Sequence, residues 1–213
     1  MSDRLPLYQE LWLLGHDEHG TPHIHLPSLN LGLAGAVLIE LVMAERITIR
    51  TGSICVYDRA GIGEPLIDAT RSAIAAERSQ RLLPIWLRWI ADDIYERTTG
   101  ALIAAGIVVR QVTRRRLVAR TERYRPTDST IASRIRGGVA YATYGHETPD
   151  WQCAALCGLL SVLGLQDVLY LAGSPAQTRT RLREIAGWHH QDVKDILTAL
   201  DRLIGDVAVA AYR

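Results

Sequence analysis

Apolar residues crowd the passage 29–50, LNLGLAGAVLIELVMAERITIR, which changes period partway along from a helix to a strand. In a soluble chain, a helix that is apolar nearly all round is one enclosed by other helices. The passage therefore predicts a buried central helix over about 30–45. Gly32 and Gly35, with Ala34 and Ala36, leave a face almost free of side chains that another backbone can approach closely, before the bulkier Val37, Leu38, Leu41 and Val42 begin. Glu40 and Glu45 are its interruptions. After Arg46 the alternation Ile47, Ile49, Ile54 and Val56 around Thr51-Gly52 predicts a hairpin over about 47–57.

The same reading extends to the rest of the chain. Leu5, Leu7, Leu11, Trp12, Leu13 and Leu14 form a short amphipathic helix that Gly15 stops, followed by a polar loop in which Gly20, Pro22 and Pro27 discourage regular structure. Helices are expected from Leu66 to Glu77 and from Leu83 to Arg97, the second with Trp86, Trp89, Ile90 and Ile94 at helical spacing and Pro84 in its first turn. Residues 98–105 continue helically to Gly106 as a C-cap, and alternation then gives two strands over about 107–124. Further helices follow at 127–144, with Asp128 or Ser129 as N-cap, at Trp151–Leu163, near 175–187 behind the Ser174-Pro175 cap, and at 189–211. The fold class is mainly α: a single-domain helical bundle over 1–213 around the buried central helix, with peripheral β-hairpins.

Charge changes the picture by exclusion. Lys+Arg number 24 against 23 Asp+Glu, so no global field calls for a nucleic acid or an acidic membrane, and any such partner must be met by a local patch. Cys55, Cys153 and Cys157 are too few and too poorly spaced for a disulfide framework. The start of the chain has no signal-peptide core, and the charge-free apolar runs 27–39 and 153–165 fall short of a bilayer span of roughly 20 residues. The expected location is the cytoplasm, with any membrane reached from its inner face.

Candidate chemistry is sparse. His16, His19, His23 and His25 with Asp17 and Glu18 form the densest cluster, but they lie in a loop without the spacing that a helix, strand or knuckle imposes and without a cysteine. The reading is a solvated loop and no metal. No nucleophile elbow, Walker loop or dinucleotide fingerprint occurs, and Gly61-Ile62-Gly63 reads as a turn. Asp92, Asp93 and Glu96 read as a solvated helix face and His189-His190 as a cap for the last helix. No enzyme activity and no cofactor are expected.

The basic passage differs in kind. Arg110, Arg114, Arg115, Arg116, Arg120, Arg123, Arg125, Arg134 and Arg136 are opposed within their span by Glu122 and Asp128 alone. Arginine forks bind phosphate, and each basic side chain near an anionic membrane contributes on the order of 1 kcal/mol. A nucleic acid could meet the same patch, with the hairpin as a wing. The helix over 83–97 carries Asp92, Asp93 and Glu96 where a recognition helix would be basic, which disfavours nucleic acid. A solvated edge that discourages strand-to-strand aggregation is a further reading.

The segments LYQELWLLGHDEHG, LGLAGAVLIELVMAERITI and TTGALIAAGIVV, taken in order, resemble the Golgi phosphoprotein 3 family. The most specific stretch runs from Gly32-Leu33-Ala34-Gly35 through Leu38-Ile39-Glu40-Leu41 to Arg46-Ile47. The resemblance implies a mostly helical domain that docks on membranes by holding the headgroup of phosphatidylinositol 4-phosphate and catalyses nothing; eukaryotic members also act as adaptors for glycosyltransferase tails. The composition points to a bacterial, actinobacterial-type member. The family's headgroup pocket uses a tryptophan before the central helix, an arginine between its glycines and two arginines on a later helix. His25, Ala34, Asp92 and Tyr95 stand at those positions, with Arg97 as a nearby candidate cation. The implied function is weaker, less specific binding of an anionic membrane surface or a phosphorylated small ligand through the arginine hairpin, Arg114 to Arg125. A cytoplasmic interaction or regulatory module, taking a peptide or small molecule in a groove beside the central helix, is the alternative. A protein partner, or a second copy joined through the 107–124 hairpin, is compatible with either.

Overall fold

A computed structural model describes residues 4–79, 81–113 and 121–211. The central helix α2 runs Leu26–Met43, and every residue from Leu31 to Val42 on it is buried. By length and composition this helix could cross a membrane, yet 72% of it is covered by the rest of the chain, as a core helix is. It begins well before the expected residue 30. Pro27 falls in its first turn, where the missing N–H costs no hydrogen bond, so a residue expected to break structure starts the helix instead.

Helices pack around α2 on several sides: α1 (Leu7–Leu14), α4 (Leu83–Ala91), α7 (Trp151–Leu163) and α9 (Gln191–Ala211). The small residues mark two of these approaches. A Cβ on Gly32 would lie 2.7 Å from Leu163 of α7, and one on Gly35 would lie 2.4 Å from Leu200 of α9. Expected to be amphipathic, α1 is buried along its whole length. Two of its polar side chains are covered because they are paired: Gln9 donates to the Tyr8 hydroxyl at 3.0 Å and Glu10 accepts from Arg4 at 2.9 Å. The N–H of Leu7, an orphan donor at the helix start, is taken by the buried Glu40 carboxylate of α2.

The expected 83–97 helix divides. α4 ends at Ala91, Asp92 and Asp93 form the break, and α5 runs Ile94–Ala104. Apolar periodicity carries through from Ile90 to Ile94, which hides the break in the sequence, but Asp93 leaves the helical region at φ −124° and ψ −1° and stands at the N-cap position of α5 without a side-chain capping bond. The remaining helices are α3 (Pro65–Ala76), α6 (Ser129–Thr143) and α8 (Pro175–Ala186), with a 3₁₀ turn at Gln166–Leu169. The Asp128 cap of α6 and the Ser174 capping box of α8 are formed.

Among the described residues two small antiparallel sheets sit at the periphery, as expected. β1 (Ile47–Arg50) pairs with β2 (Ser53–Val56) around Thr51 and Gly52, both at positive φ, the geometry of a tight primed turn. β3 (Val108–Thr113) pairs with β4 (Thr121–Pro126), Val109 opposite Arg125 and Arg110 opposite Tyr124. Arg114, Arg115, Arg116 and Arg120 lie outside the described residues.

Candidate functional site

The loop between α1 and α2, the start of α5 and strand β4 meet in one place. The loop folds on itself: Asp17 accepts from the backbone N–H of His19 at 2.9 Å and of Thr21 at 2.8 Å. At its tip Gly20 lies so close to β4 that a Cβ would come within 2.1 Å of the Tyr124 carbonyl oxygen, a fit only glycine allows. Arg125 secures the same junction, donating from Nε to the Glu18 carbonyl at 3.3 Å.

His16 anchors the inner side. Its ring stacks on Trp12 with centroids 3.8 Å apart. Nδ1 donates to the Trp12 carbonyl at 2.7 Å, which fixes the neutral tautomer and leaves Nε2 to accept from the Tyr95 hydroxyl at 2.9 Å. Burial pushes the His16 pKa down to about 4 and the Tyr95 hydroxyl up to about 12, so both stay neutral around pH 7. Histidine clustering and helix periodicity do not point to this pairing, because the partners are 79 positions apart in the chain. The remaining loop histidines, His19, His23 and His25, are exposed, and among the described residues no group of three or more His, Cys, Asp or Glu could hold a metal ion.

Of the positions aligned with the family's headgroup pocket, Tyr95 is half-buried in this cluster and His25 is the exposed N-cap of α2. Asp92 is exposed at the α4–α5 break. Ala34 has no exposed surface, being enclosed between neighbouring helices. Arg97 pairs with Asp93 one turn back at 3.7 Å.

Strand alternation sorts the charges of the hairpin. On one face of β4, Glu122 and Tyr124 are partly buried, and Glu122 pairs with Arg110 across the ladder. On the other, Arg123 and Arg125 are exposed beside Gln111 and Val109 of β3. Arg134 is exposed at the start of α6, and Arg136 lies 5.0 Å over the ring of Tyr170.

Two of the cavities among the described residues lie elsewhere. One of about 520 Å³ opens between α1, α6 and α7, with Arg4, Glu10, Asp150 and Cys153 on its walls. Cys153 is half-buried, and the neighbouring Cys157 thiol one turn on lowers its pKa. The other, about 430 Å³, lies beside the C-terminal end of α2, where the Thr48 hydroxyl donates to the buried Asp192 at 2.8 Å.

An apolar helix wrapped by helices, with a loop clamped between an inner aromatic cluster and an outward basic hairpin, defines a mainly α scaffold that presents a charged peripheral ladder. The family model for Golgi phosphoprotein 3 matches residues 7–200, nearly the whole chain, and the chain belongs to that family. No curated protein matches it.

Proposed function

We propose that this protein is a non-enzymatic peripheral membrane protein that binds anionic lipid mainly by electrostatic attachment, with altered headgroup specificity. Family membership supports the membrane role. The observation that carries the electrostatic mode is the outward face of β4, where Arg123 and Arg125 stand exposed with no ion pair among the described residues while Glu122 is turned to the other face and paired with Arg110. Altered specificity follows from Ala34, which is buried and uncharged, and from Asp92, whose carboxylate would repel a phosphate. The location that fits is the cytoplasmic face of the membrane.

Sedimentation with phosphatidylserine-containing vesicles over a salt series tests this. The expected result is binding at low ionic strength that weakens steadily with salt; no binding even at the lowest salt overturns the proposal. A second reading, a module that takes a peptide or small molecule, is favoured by the cavity beside the end of α2 and its buried Asp192. Lipid-independent capture of such a ligand, lost on blocking that cavity, would support it.

A further inference from the structure

α4 is apolar on both its faces. Leu83, Trp86, Leu87 and Ile90 face inward and are buried. The outward face carries Ile85 and Trp89, with Leu82 just before the helix, at 47, 42 and 52% exposure. A surface helix ordinarily turns polar residues outward; here Arg88 is the single charge on that side. The ridge is held firmly. Leu82 bridges to Ser53, and the Leu83 N–H donates to the Gly52 carbonyl at 2.8 Å, so the start of α4 is tied to the β1–β2 turn.

Cations ring its base. The Arg81 guanidinium lies 5.5 Å over the Trp86 ring, and Trp89 meets Trp86 edge-on at 5.5 Å. These three side chains, with Arg78 and Glu77, line a cavity of about 430 Å³ between α3 and α4. Glu77 is paired with Arg81, while Arg78 forms no ion pair among the described residues. Arg88 lies 3.6 Å from Asp206, with both side chains open to solvent.

We propose that this ridge is an insertion face for an anionic lipid bilayer. Leu82 and Ile85 enter the boundary between headgroups and acyl chains, Trp89 lies at the interface where an amphipathic ring is favoured, and Arg78 meets lipid phosphates. The charges select lipid over a neutral apolar partner: the exposed Arg78, with no ion pair among the described residues, flanks the N-terminal end, and the acids Asp92 and Asp93 lie at the C-terminal end, so the N-terminal end goes deepest. This inference rests on the membrane reading above, but it assigns a different surface and a different force. Attachment through the hairpin is screened by salt, whereas apolar insertion is not.

The test uses the full chain, vesicles of phosphatidylcholine with phosphatidylserine, and two variants, Leu82→Ser with Ile85→Ser, and Trp89→Phe. Both replace exposed side chains, and circular dichroism checks their fold. Wild type is expected to retain part of its binding at about 1 M salt, where the screening length is about 3 Å. The double variant loses that residue and binds roughly tenfold more weakly or less. Lipids brominated on the acyl chains quench wild-type tryptophan fluorescence, and Trp89→Phe removes most of that quenching. If wild type binds and both variants match it at every salt, with quenching unchanged, the insertion face is overturned and the electrostatic reading stands. If wild type fails to bind at low salt, both fall. If wild type is a dimer by light scattering and the double variant is a monomer that binds vesicles as wild type does, the ridge is a contact between copies and the proposal is overturned.

Discussion

Two buried titratable residues pull the stability of the protein in opposite directions with pH. Glu40, pushed up to about 7 by burial, keeps a proton in the folded state that the unfolded chain releases near its ordinary 4.5, so stability falls as pH rises between those values. His16, pushed down from 6.5 to about 4 by burial, stays neutral when folded while the unfolded chain takes up a proton, so stability rises with pH across that window. Each effect is on the order of 3 kcal/mol, and over their overlap they largely cancel. Glu40→Gln keeps an acceptor for the Leu7 N–H and deletes the falling limb. We expect it to be about 1–2 kcal/mol more stable than wild type at about pH 8, after the cost of its unpartnered amide N–H. Below about pH 6.5 it should lose stability steeply. Glu10, also raised by burial, adds a falling slope, and His189, lowered by burial, a rising one, to both proteins. Urea unfolding across this range reads the difference; parallel curves for the two proteins would refute it. Tyr95→Phe leaves His16 Nε2 without its donor and should cost about 1–2 kcal/mol by the same measurement. The two buried ionisable residues differ in how far sequence exposes them. Glu40 interrupts an otherwise apolar run and so declares itself, whereas His16 sits among three exposed loop histidines and only its partner across the fold sets it apart.

Elements were legible wherever a local signal was decisive. The Trp151–Leu163 helix, the Ser174 cap ahead of Pro175 and the Thr51-Gly52 turn each rest on neighbours a few residues apart. The misplaced boundaries are those where one residue type supports two structures: Pro27 suits a loop or a first helical turn, and Asp92-Asp93 suits a solvated face or a break. Packing separates glycines in the same way. Gly35 faces Leu200 so closely that an added methyl must displace a fully buried leucine, and Gly35→Ala is expected to destabilise by about 1–3 kcal/mol despite alanine's better helix propensity. At Gly137 in α6 and Gly205 in α9 an added methyl would meet nothing within 4 Å, so alanine at either should stabilise by about 0.5–1 kcal/mol. Thermal melts of the three variants check both signs. Equal shifts would mean that helix propensity alone governs these sites.

At the scale of the molecule, near-neutral charge conceals a sorted surface. Nine arginines crowd one passage of the sequence, and the ladder register sorts three of them: Arg110 falls opposite Tyr124, on the face that Glu122 shares, while Arg123 and Arg125 fall on the other. The sorting decides how the proposed attachment should respond to substitution. Arg110 stands on the face turned from Arg123 and Arg125, so Arg110→Gln, which removes one of the partners of Glu122, should weaken vesicle binding less than removal of either outward arginine. Arg123→Gln with Arg125→Gln removes two exposed cations, each contributing about 1 kcal/mol near an anionic surface, and should weaken binding roughly 30-fold at low ionic strength. That difference should shrink toward nothing at about 1 M salt, where charges more than ~3 Å apart are screened. Arg125 also holds the loop through Glu18, so Arg123→Gln alone, expected to give roughly a fivefold loss, separates charge from loop placement. A double variant that binds as tightly as wild type at low salt would remove the hairpin from the docking surface. A loss that persists unchanged at high salt would mean that these arginines act through the fold rather than through their charge.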